Sequence, residues 1–268
     1  MIGIAIKKGI ISLETKVKKF YPELNGENHE SMTLDHLLKM SSGIDWNEYY
    51  EENPFASHVI RMLYVYQNKD MASYTAKQPV IHQPGTRFHY SSGESNLIMG
   101  MLKKSMGLKD YENFPWNELF DKLNIESATW ERDGSDVFIG SSYLYLSPRD
   151  LAKIGKLYLN DGIWEKERIL PEGWVEYTTT PNQAWKNNQT NESKPKLAYG
   201  AHWWLNRPNR HGSVHPAAPE NVYMALGHHG QILAVFPDQK IIFVRMAADK
   251  DGKIDRNMIF KFIMDSLK

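Results

Sequence analysis

The C-terminal third of the sequence carries the pattern that most constrains the fold. Three apolar and β-branched segments follow one another there, at Asn221 to Leu226, Gln231 to Phe236 and Lys240 to Met246. Pro237-Asp238-Gln239 between the last two is typical of a hairpin turn. The tail from Ile254 to Leu267 has apolar residues at helical spacing, so we expect a helix packed on a sheet of three antiparallel strands.

The rest of the chain is predicted to be largely helical. Ser147-Pro148 opens one helix with a cap and a first-turn proline, and Gly107 closes another that follows Ser95. Residues 183–196 form a polar, Asn-rich run without apolar spacing, so an exposed loop is predicted. Further helices are predicted at Ile2 to Lys8, Thr33 to Met40, Pro54 to Asp70 and after Pro171, with a short amphipathic piece from Leu13 to Leu24.

These patterns predict an α/β (α+β) fold, with an antiparallel sheet flanked by helices and a mostly helical lobe. At 268 residues the chain can bury one large core. We expect one module over residues 1–268, with a mainly helical lobe at about 31–150 and a sheet lobe formed by residues 1–30 and 151–268.

Composition excludes several classes of function. The 32 basic and 32 acidic residues give a formal net charge of +0, so bulk electrostatics recruit neither nucleic acid nor an anionic membrane, and no nucleic-acid partner is predicted. The absence of cysteine excludes disulfides, thiolate metal sites and a cysteine nucleophile, while leaving the cellular compartment open. No apolar run approaches the roughly 20 residues of a membrane span, and the first eight residues are too short for a signal peptide.

The stretch from Gln83 to Asn96 is the first candidate for chemistry. A Pro-Gly turn leads into Tyr90-Ser91-Ser92, and a helical segment follows. Unpaired N–H groups at a helix entrance, together with the helix dipole, would stabilise an ionised tyrosine there. The alternative is that Tyr90 is an ordinary loop aromatic and that Ser92 or Ser95 only caps the helix.

A second candidate is Gly227-His228-His229-Gly230-Gln231, between two predicted strands. Glycine at such a place permits close approach of a ligand or another backbone. On a strand His228 and His229 would face opposite sides, so at most one points into a cleft. No metal site is predicted, because no Glu or Asp completes a ligand set. The two histidines of residues 211–215 are predicted to lie in a loop.

Four segments, taken in order, resemble the serine beta-lactamase-like hydrolases. This group includes class C beta-lactamases, D-alanyl-D-alanine peptidases, related esterases and 6-aminohexanoate oligomer hydrolases. The segments are residues 32–43, Tyr90-Ser91-Ser92 after Pro84-Gly85, residues 146–152 with 158–162, and residues 227–231. The resemblance spans nearly the whole chain and implies a beta-lactamase/transpeptidase-like fold.

The resemblance also implies a three-part active site without an organic cofactor. A Ser-x-x-Lys supplies the nucleophile, a tyrosine step transfers the proton, and a strand flanks the substrate. Tyr90 and Ser92 match the tyrosine step, and His228, His229 and Gly230 match the strand in its histidine form. The N–H of Gln231 would then donate to the oxyanion.

The Ser-x-x-Lys itself is expected upstream of Met1, together with the family's first two strands. The single match in the sequence, Ser193 to Lys196, contains Pro195, which prevents the helix that would place serine and lysine one turn apart. A tyrosine with a pKa near 10 is a poor base at neutral pH without a nearby cation. This chain alone is therefore predicted not to form an acyl-enzyme.

An ester, an amide or a peptide is the expected small-molecule substrate. Histidine in place of the usual lysine favours esters or linear amides. Trp174, Trp185, Trp203 and Trp204 either wall an acyl pocket or fill a core. The alternatives are a non-catalytic member that binds a small molecule or peptidoglycan fragment, and a fragment with an exposed sheet edge. Relatives are commonly periplasmic or secreted, and no location is predicted for this chain.

Overall fold

The computed structural model describes residues 1–26, 28–50, 53–65, 69–188, 194–250 and 254–268. Packing divides the chain into two compact units, Met1–Tyr145 and Leu146–Lys268. Residues 1–30, which the sequence grouped with the sheet lobe, fall in the first unit by this division. The predicted organisation into lobes of one module stays a prediction.

The first unit is built mainly from helices. They are α1 (Ile2–Lys7), α2 (Leu34–Leu38), α3 (His58–Ile60), α4 (Met71–Ala76), α5 (Ser92–Met106) and α6 (Leu108–Pro115). Turns of π-helix follow α3 and α6 at Arg61–Val65 and Trp116–Phe120, and 3₁₀ turns lie at Val17–Lys19, His29–Ser31 and Pro54–Ala56. A short ribbon pairs β1 (Thr129–Trp130) with β2 (Leu144–Tyr145). Within the predicted amphipathic piece from Leu13 to Leu24, only the 3₁₀ turn at Val17–Lys19 is helical.

Helix α5 is the central element of this unit. Every residue from Ser92 to Leu102 is buried, and each buried leucine contributes about 1.5–3 kcal/mol. Gly100 allows the ring of Tyr21 to approach, because a Cβ at this glycine would lie 2.0 Å from the Tyr21 hydroxyl. The helix ends at Gly107, which has φ +81°. The predicted end at this glycine is confirmed.

The second unit contains a five-stranded antiparallel sheet. Its strands, in spatial order, are β5 (Ala198–Tyr199), β6 (Trp204–Leu205), β7 (Tyr223–Gly227), β8 (Gln231–Phe236) and β9 (Ile241–Arg245). A separate ribbon pairs β3 (Ile163–Trp164) with β4 (Glu167–Arg168). The helices are α7 (Pro148–Leu159), α8 (Trp174–Thr179), α9 (Gln183–Asn188) and α10 (Arg256–Asp265).

Helices cover both faces of this sheet. Ala234 and Phe236 of β8 lie in one buried cluster with Phe260 of α10. The next residue along the strand, Leu233, instead approaches Gly155 of α7, where an added Cβ would lie 2.9 Å from its side chain. Alternate residues of a strand point to opposite faces, so α10 and α7 pack on opposite sides. The predicted antiparallel sheet flanked by helices is confirmed.

The predicted exposed loop at residues 183–196 was wrong in part. Residues Gln183–Asn188 form α9, which buries Ala184 and Trp185. Asn182 supports it, since its Oδ1 accepts the Trp185 N–H at 2.8 Å. The serine of the Ser193 to Lys196 match lies outside the described residues. None of the described helices combines the length and apolar character needed to cross a bilayer.

Candidate active site

Tyr90 and Ser92 lie at the entrance of α5. Ser91 has an extended backbone (φ −149°, ψ 117°), and its Oγ accepts the N–H of Glu94 at 3.3 Å. Ser91 is therefore the cap, and Ser92 is the first residue of the helix. The alternative that placed the cap at Ser92 or Ser95 was wrong, whereas the predicted position of Tyr90 at the helix entrance is confirmed.

The carboxylate of Glu48 fixes this entrance. It accepts the Ser92 N–H at 3.1 Å and the Ser92 hydroxyl at 2.5 Å. It also accepts the indole N–H of Trp46 at 2.5 Å and the hydroxyl of Tyr50 at 3.3 Å. A negative charge is favourable at the N-terminus of a helix, and charge-assisted bonds are the strong ones. Four donors from two segments therefore converge on one carboxylate.

Sequence reasoning missed Glu48 as a site residue. Residues 45–50 are polar and aromatic, a composition that is common in loops lining a cleft. The bonds that matter join Glu48 to Ser92, which lies 44 positions further along the chain. No local spacing rule connects residues so far apart. The available signal was a carboxylate among aromatic residues in such a loop, and that pattern does not specify a partner.

The electrostatic surroundings of Tyr90 oppose ionisation. Burial, followed by the negative charge of Glu48, raises the pKa of Tyr90 to about 12. The expectation that the helix entrance stabilises the phenolate was therefore wrong for the described residues. At neutral pH the Tyr90 phenol keeps its proton and can donate a hydrogen bond. A cation placed beside Tyr90 would be attracted by Glu48 and would lower the pKa of the phenol.

A second carboxyl, that of Glu94, lies in the first turn of α5. The side chain is 2% exposed, and its Oε1 accepts the Ser42 hydroxyl at 2.7 Å. Its Oε2 has no hydrogen-bond partner among the described residues. Burial raises the pKa of Glu94 well above the usual range, so its surroundings favour the protonated form. Glu48 and Glu94 thus lie at one helix entrance in different environments.

In the second unit, His228 and His229 form a tight turn. They occupy a 3₁₀ turn, His228–Gly230, that connects β7 to β8. His229 has φ +56° and Gly230 has φ +85°, and the two imidazole rings lie 3.9 Å apart at an angle of 32°. The expectation that these rings face opposite sides of a strand was wrong, because a turn interrupts the alternation and stacks them.

An ion pair supports this turn. Arg245 donates to the Gly230 carbonyl at 2.8 Å and pairs with Asp249 at 2.7 Å. The Asp249 N–H donates to the His229 carbonyl at 3.0 Å. A Cβ at Gly230 would lie 2.7 Å from the Arg245 guanidinium. Glycine is required here for the positive φ and for the close approach of arginine.

The side chain of Gln231 extends the sheet. Its Oε1 accepts the Ala247 N–H at 3.1 Å, and its Nε2 donates to the Ala247 carbonyl. Both groups of this side-chain amide are therefore hydrogen-bonded to the backbone that follows β9. A contribution of Gln231 to substrate binding would come from its main chain.

The structure brings together Tyr90 and Ser92 in the first unit, and His228, His229, Gly230 and Gln231 in the second. Their catalytic and substrate-binding roles stay predictions. The described residues contain no cluster of three or more His, Cys, Asp or Glu arranged to hold a metal ion.

The tryptophans of the second unit pack mainly in its interior. Trp203 is buried between the rings of Tyr158 and Tyr223, with centroids at 4.7 and 5.0 Å. Trp174 and Trp185 are buried as well, and Trp204 packs on Tyr199. Core filling therefore accounts for these positions.

The fold agrees with that of known proteins. A family model described as Beta-lactamase matches residues 1–265. The 6-aminohexanoate-dimer hydrolase of Paenarthrobacter ureafaciens is 24% identical over 268 residues, which covers 94% of this chain and 63% of the relative. The chain therefore spans under two thirds of that relative's length.

Two solved structures show the same fold. A protein of Bacillus anthracis provisionally named a 6-aminohexanoate-dimer hydrolase superposes with a TM-score of 0.73 at 19% identity, covering 99% of this chain and 68% of its own. EstCE1, a hydrolase with promiscuous acyltransferase activity, superposes with a TM-score of 0.69 at 12% identity, covering 94% and 78%. The predicted beta-lactamase/transpeptidase-like fold is confirmed.

Proposed function

This chain belongs to the beta-lactamase family, and we propose that it forms most of a serine hydrolase that cleaves an ester or amide through an acyl-enzyme. The observation that carries the proposal is the position of Tyr90 at the entrance of the buried helix α5, two residues before Ser92. A tyrosine fixed there is suited to transfer a proton to or from a reacting group.

Each candidate residue has a proposed role. Tyr90 exchanges a proton with the nucleophile and later with the leaving group. Ser92 keeps the helix entrance in place, because its hydroxyl and N–H both donate to Glu48. His228, with His229 and Gly230, flanks the substrate, and the N–H of Gln231 donates to the oxyanion of the tetrahedral intermediate.

The nucleophile and its lysine are proposed to come from a Ser-x-x-Lys in residues that precede this sequence. The raised pKa of Tyr90 supports this part of the proposal, because Glu48 disfavours the phenolate unless a cation offsets its charge. An ammonium group between Glu48 and Tyr90 would be attracted to the carboxylate. It would also bring the pKa of the tyrosine closer to neutrality.

Esters and linear amides are the proposed substrates. One relative is named for hydrolysis of the 6-aminohexanoate dimer, and EstCE1 is described as a hydrolase with acyltransferase activity. These names support acyl transfer to water as the reaction class for this chain. A histidine turn in place of the lysine element favours substrates without a carboxylate beside the scissile bond.

A non-catalytic binding role is the second candidate. The observation in its favour is that the Tyr90 pKa is raised to about 12, so the described residues present a hydrogen-bond donor instead of a base. Such a site would hold the carbonyl of a small ester, amide or peptidoglycan fragment without cleaving it.

Covalent labelling separates the two candidates. The 268-residue chain is compared with a longer chain that includes the residues encoded immediately upstream, using a fluorescent fluorophosphonate and a fluorescent penicillin. We expect labelling of the longer chain at a serine of a Ser-x-x-Lys, and none of the shorter chain. Labelling of the 268-residue chain, or a stop codon in frame just before Met1, would contradict the proposed source of the nucleophile. Absence of any labelling in an extended chain would favour the binding role.

A further inference from the structure

A small cavity behind the Tyr90 segment has the features of a separate ligand site. It has a volume of about 130 Å³ and is lined by Gly43, Ile44, Asp45, Trp46, Ile81, His82, Arg87 and His89. Arg87 and His89 line it, whereas Phe88 and Tyr90, the alternate residues, do not. The cavity is therefore lined by the residues of this segment that alternate with Phe88 and Tyr90.

Backbone hydrogen bonds hold the walls of this cavity in place. Ile81 and His82 both donate their N–H to the Gly43 carbonyl, at 2.9 and 3.2 Å. A Cβ at Gly43 would lie 2.0 Å from the His82 carbonyl oxygen, so only glycine permits this approach. The segment that carries Arg87 and His89 is held by a further hydrogen bond, in which Nε2 of His89 donates to the Trp46 carbonyl at 2.8 Å. The cavity is thus preformed.

Arg87 is the cation of the cavity. Its Nη1 donates to Nε2 of His82 at 2.8 Å. An arginine can only donate, so this nitrogen of His82 accepts and the imidazole is neutral. No carboxylate lies within 4 Å of Arg87 among the described residues. A guanidinium that is fixed by a neutral ring still has donors for a planar anion.

The other lining groups narrow the class of anion. Ile81, which is 54% exposed, supplies apolar surface, and the buried residues Ile44 and Trp46 line the same cavity. Asp45 adds one negative charge to the wall, which disfavours a dianion such as phosphate more than a monoanion. A carboxylate matches the fork of an arginine through two parallel hydrogen bonds. A short aliphatic chain would lie on the apolar part.

We propose that this cavity binds a small aliphatic monocarboxylate, with its carboxylate on Arg87 and its chain against Ile44, Ile81 and Trp46. The site is independent of the proposed hydrolysis, because it requires neither the nucleophile nor Tyr90. Its occupant would contact Trp46, whose indole N–H holds Glu48 at the entrance of α5.

The test is a titration of the 268-residue chain with butyrate, followed by the chemical shifts of the His82 and His89 side chains in NMR spectra. The probes for comparison are inorganic phosphate and butylamine. We expect saturable shifts with butyrate and weaker binding of phosphate. Arg87→Gln should weaken butyrate binding about tenfold or more, while the exposed control Arg149→Gln leaves it unchanged.

A second variant tests the effect of the negative charge of Asp45 on anion binding. Asp45→Asn should leave butyrate binding intact or tighter and should improve phosphate binding, because it removes the negative charge from the wall. The proposal is wrong if butyrate causes no saturable shift, if phosphate or butylamine binds as tightly in the unmodified chain, or if Arg87→Gln binds butyrate unchanged. Arg87 is exposed, so a folding defect is not expected for its variant.

Discussion

At the residue scale, Glu48 has two effects at the entrance of α5: it holds Ser92 in place and it disfavours the Tyr90 phenolate. It accepts bonds from two donors of Ser92, and its charge opposes ionisation of Tyr90. Removing that charge while keeping the shape of the side chain separates these two effects.

We therefore predict that Glu48→Gln lowers the pKa of Tyr90. The amide lacks the negative charge that disfavours the phenolate, whereas burial continues to raise the pKa. Spectrophotometric titration of tyrosinate in the near ultraviolet measures the change, with Tyr90→Phe subtracted to isolate this residue. Glu172→Gln, at an exposed position, is the control and should not alter the titration. An unchanged Tyr90 pKa in Glu48→Gln would show that the carboxylate does not act on the phenol.

Glu94 should make the protein less stable as pH rises. Its folded-state pKa is raised above the usual 4.5, so the folded form keeps a proton that the unfolded chain releases. Stability then falls above about pH 4.5, by up to about 1.4 kcal/mol per pH unit. Glu94→Gln keeps an acceptor for the Ser42 hydroxyl and removes the titration. Urea unfolding should find this variant stabilised relative to the parent at about pH 8 but not at about pH 4, and the same difference at both pH values would contradict the prediction.

His215 should make the protein less stable as pH falls below neutrality. Burial, together with the charge of Arg256, lowers its pKa to about 4, and neither ring nitrogen has a hydrogen-bond partner among the described residues. The neutral ring packs edge-on against Phe260, with centroids at 5.2 Å. Stability from this group is present above the unfolded pKa near 6.5 and is lost as pH falls toward 4. His215→Phe should reduce the fall in Tm between about pH 7 and pH 5, whereas the exposed control His211→Phe should not.

At the element scale, the close packing of α5 is the feature most sensitive to a single methyl group. Gly100→Ala would place a Cβ 2.0 Å from the Tyr21 hydroxyl and 2.7 Å from the Cβ of Ala72. We predict a destabilisation of about 1–3 kcal/mol, in spite of the better helix propensity of alanine. Tyr21→Phe removes the nearer atom and should recover part of the loss in the double variant. An unchanged free energy of unfolding for Gly100→Ala in chemical denaturation would show that α5 has room for a methyl group at this position.

The elements that were predicted correctly have strong local patterns. Helix α7 begins at a Ser-Pro cap, and β8 and β9 flank a recognisable turn. Strands β5 and β6 have two residues each, too few for an alternation to be recognised. Helix α9 buries only Ala184 and Trp185, so its apolar signal is lost in a polar run.

The site was predicted less completely than the fold, for a physical reason. Tyr90, His228 and Gly230 are found from short motifs in the family's order. The supporting groups are Glu48 for the first unit and Arg245 with Asp249 for the second. These groups act through contacts distant in sequence, and one sequence contains no information on such pairs. The same holds for the stacking of the two histidine rings, which depends on the turn that replaces a strand.

At the scale of the whole molecule, the match to the Beta-lactamase family model over residues 1–265 shows which family the chain belongs to. The chain spans 63% of the length of the 6-aminohexanoate-dimer hydrolase that it resembles, so the activity of the whole protein is a proposal. We propose that Tyr90 transfers the proton in the hydrolytic reaction.

The most direct measurement is the rate of ester hydrolysis by the chain extended with its upstream residues, comparing Tyr90→Phe with Tyr145→Phe. Tyr145 is 52% exposed and serves as the matched control. We predict that Tyr90→Phe lowers kcat by about 10²–10⁴-fold with little change in Tm, as expected for loss of proton transfer. Tyr145→Phe should retain full activity. Equal rates for Tyr90→Phe and the unmodified extended chain would contradict the account.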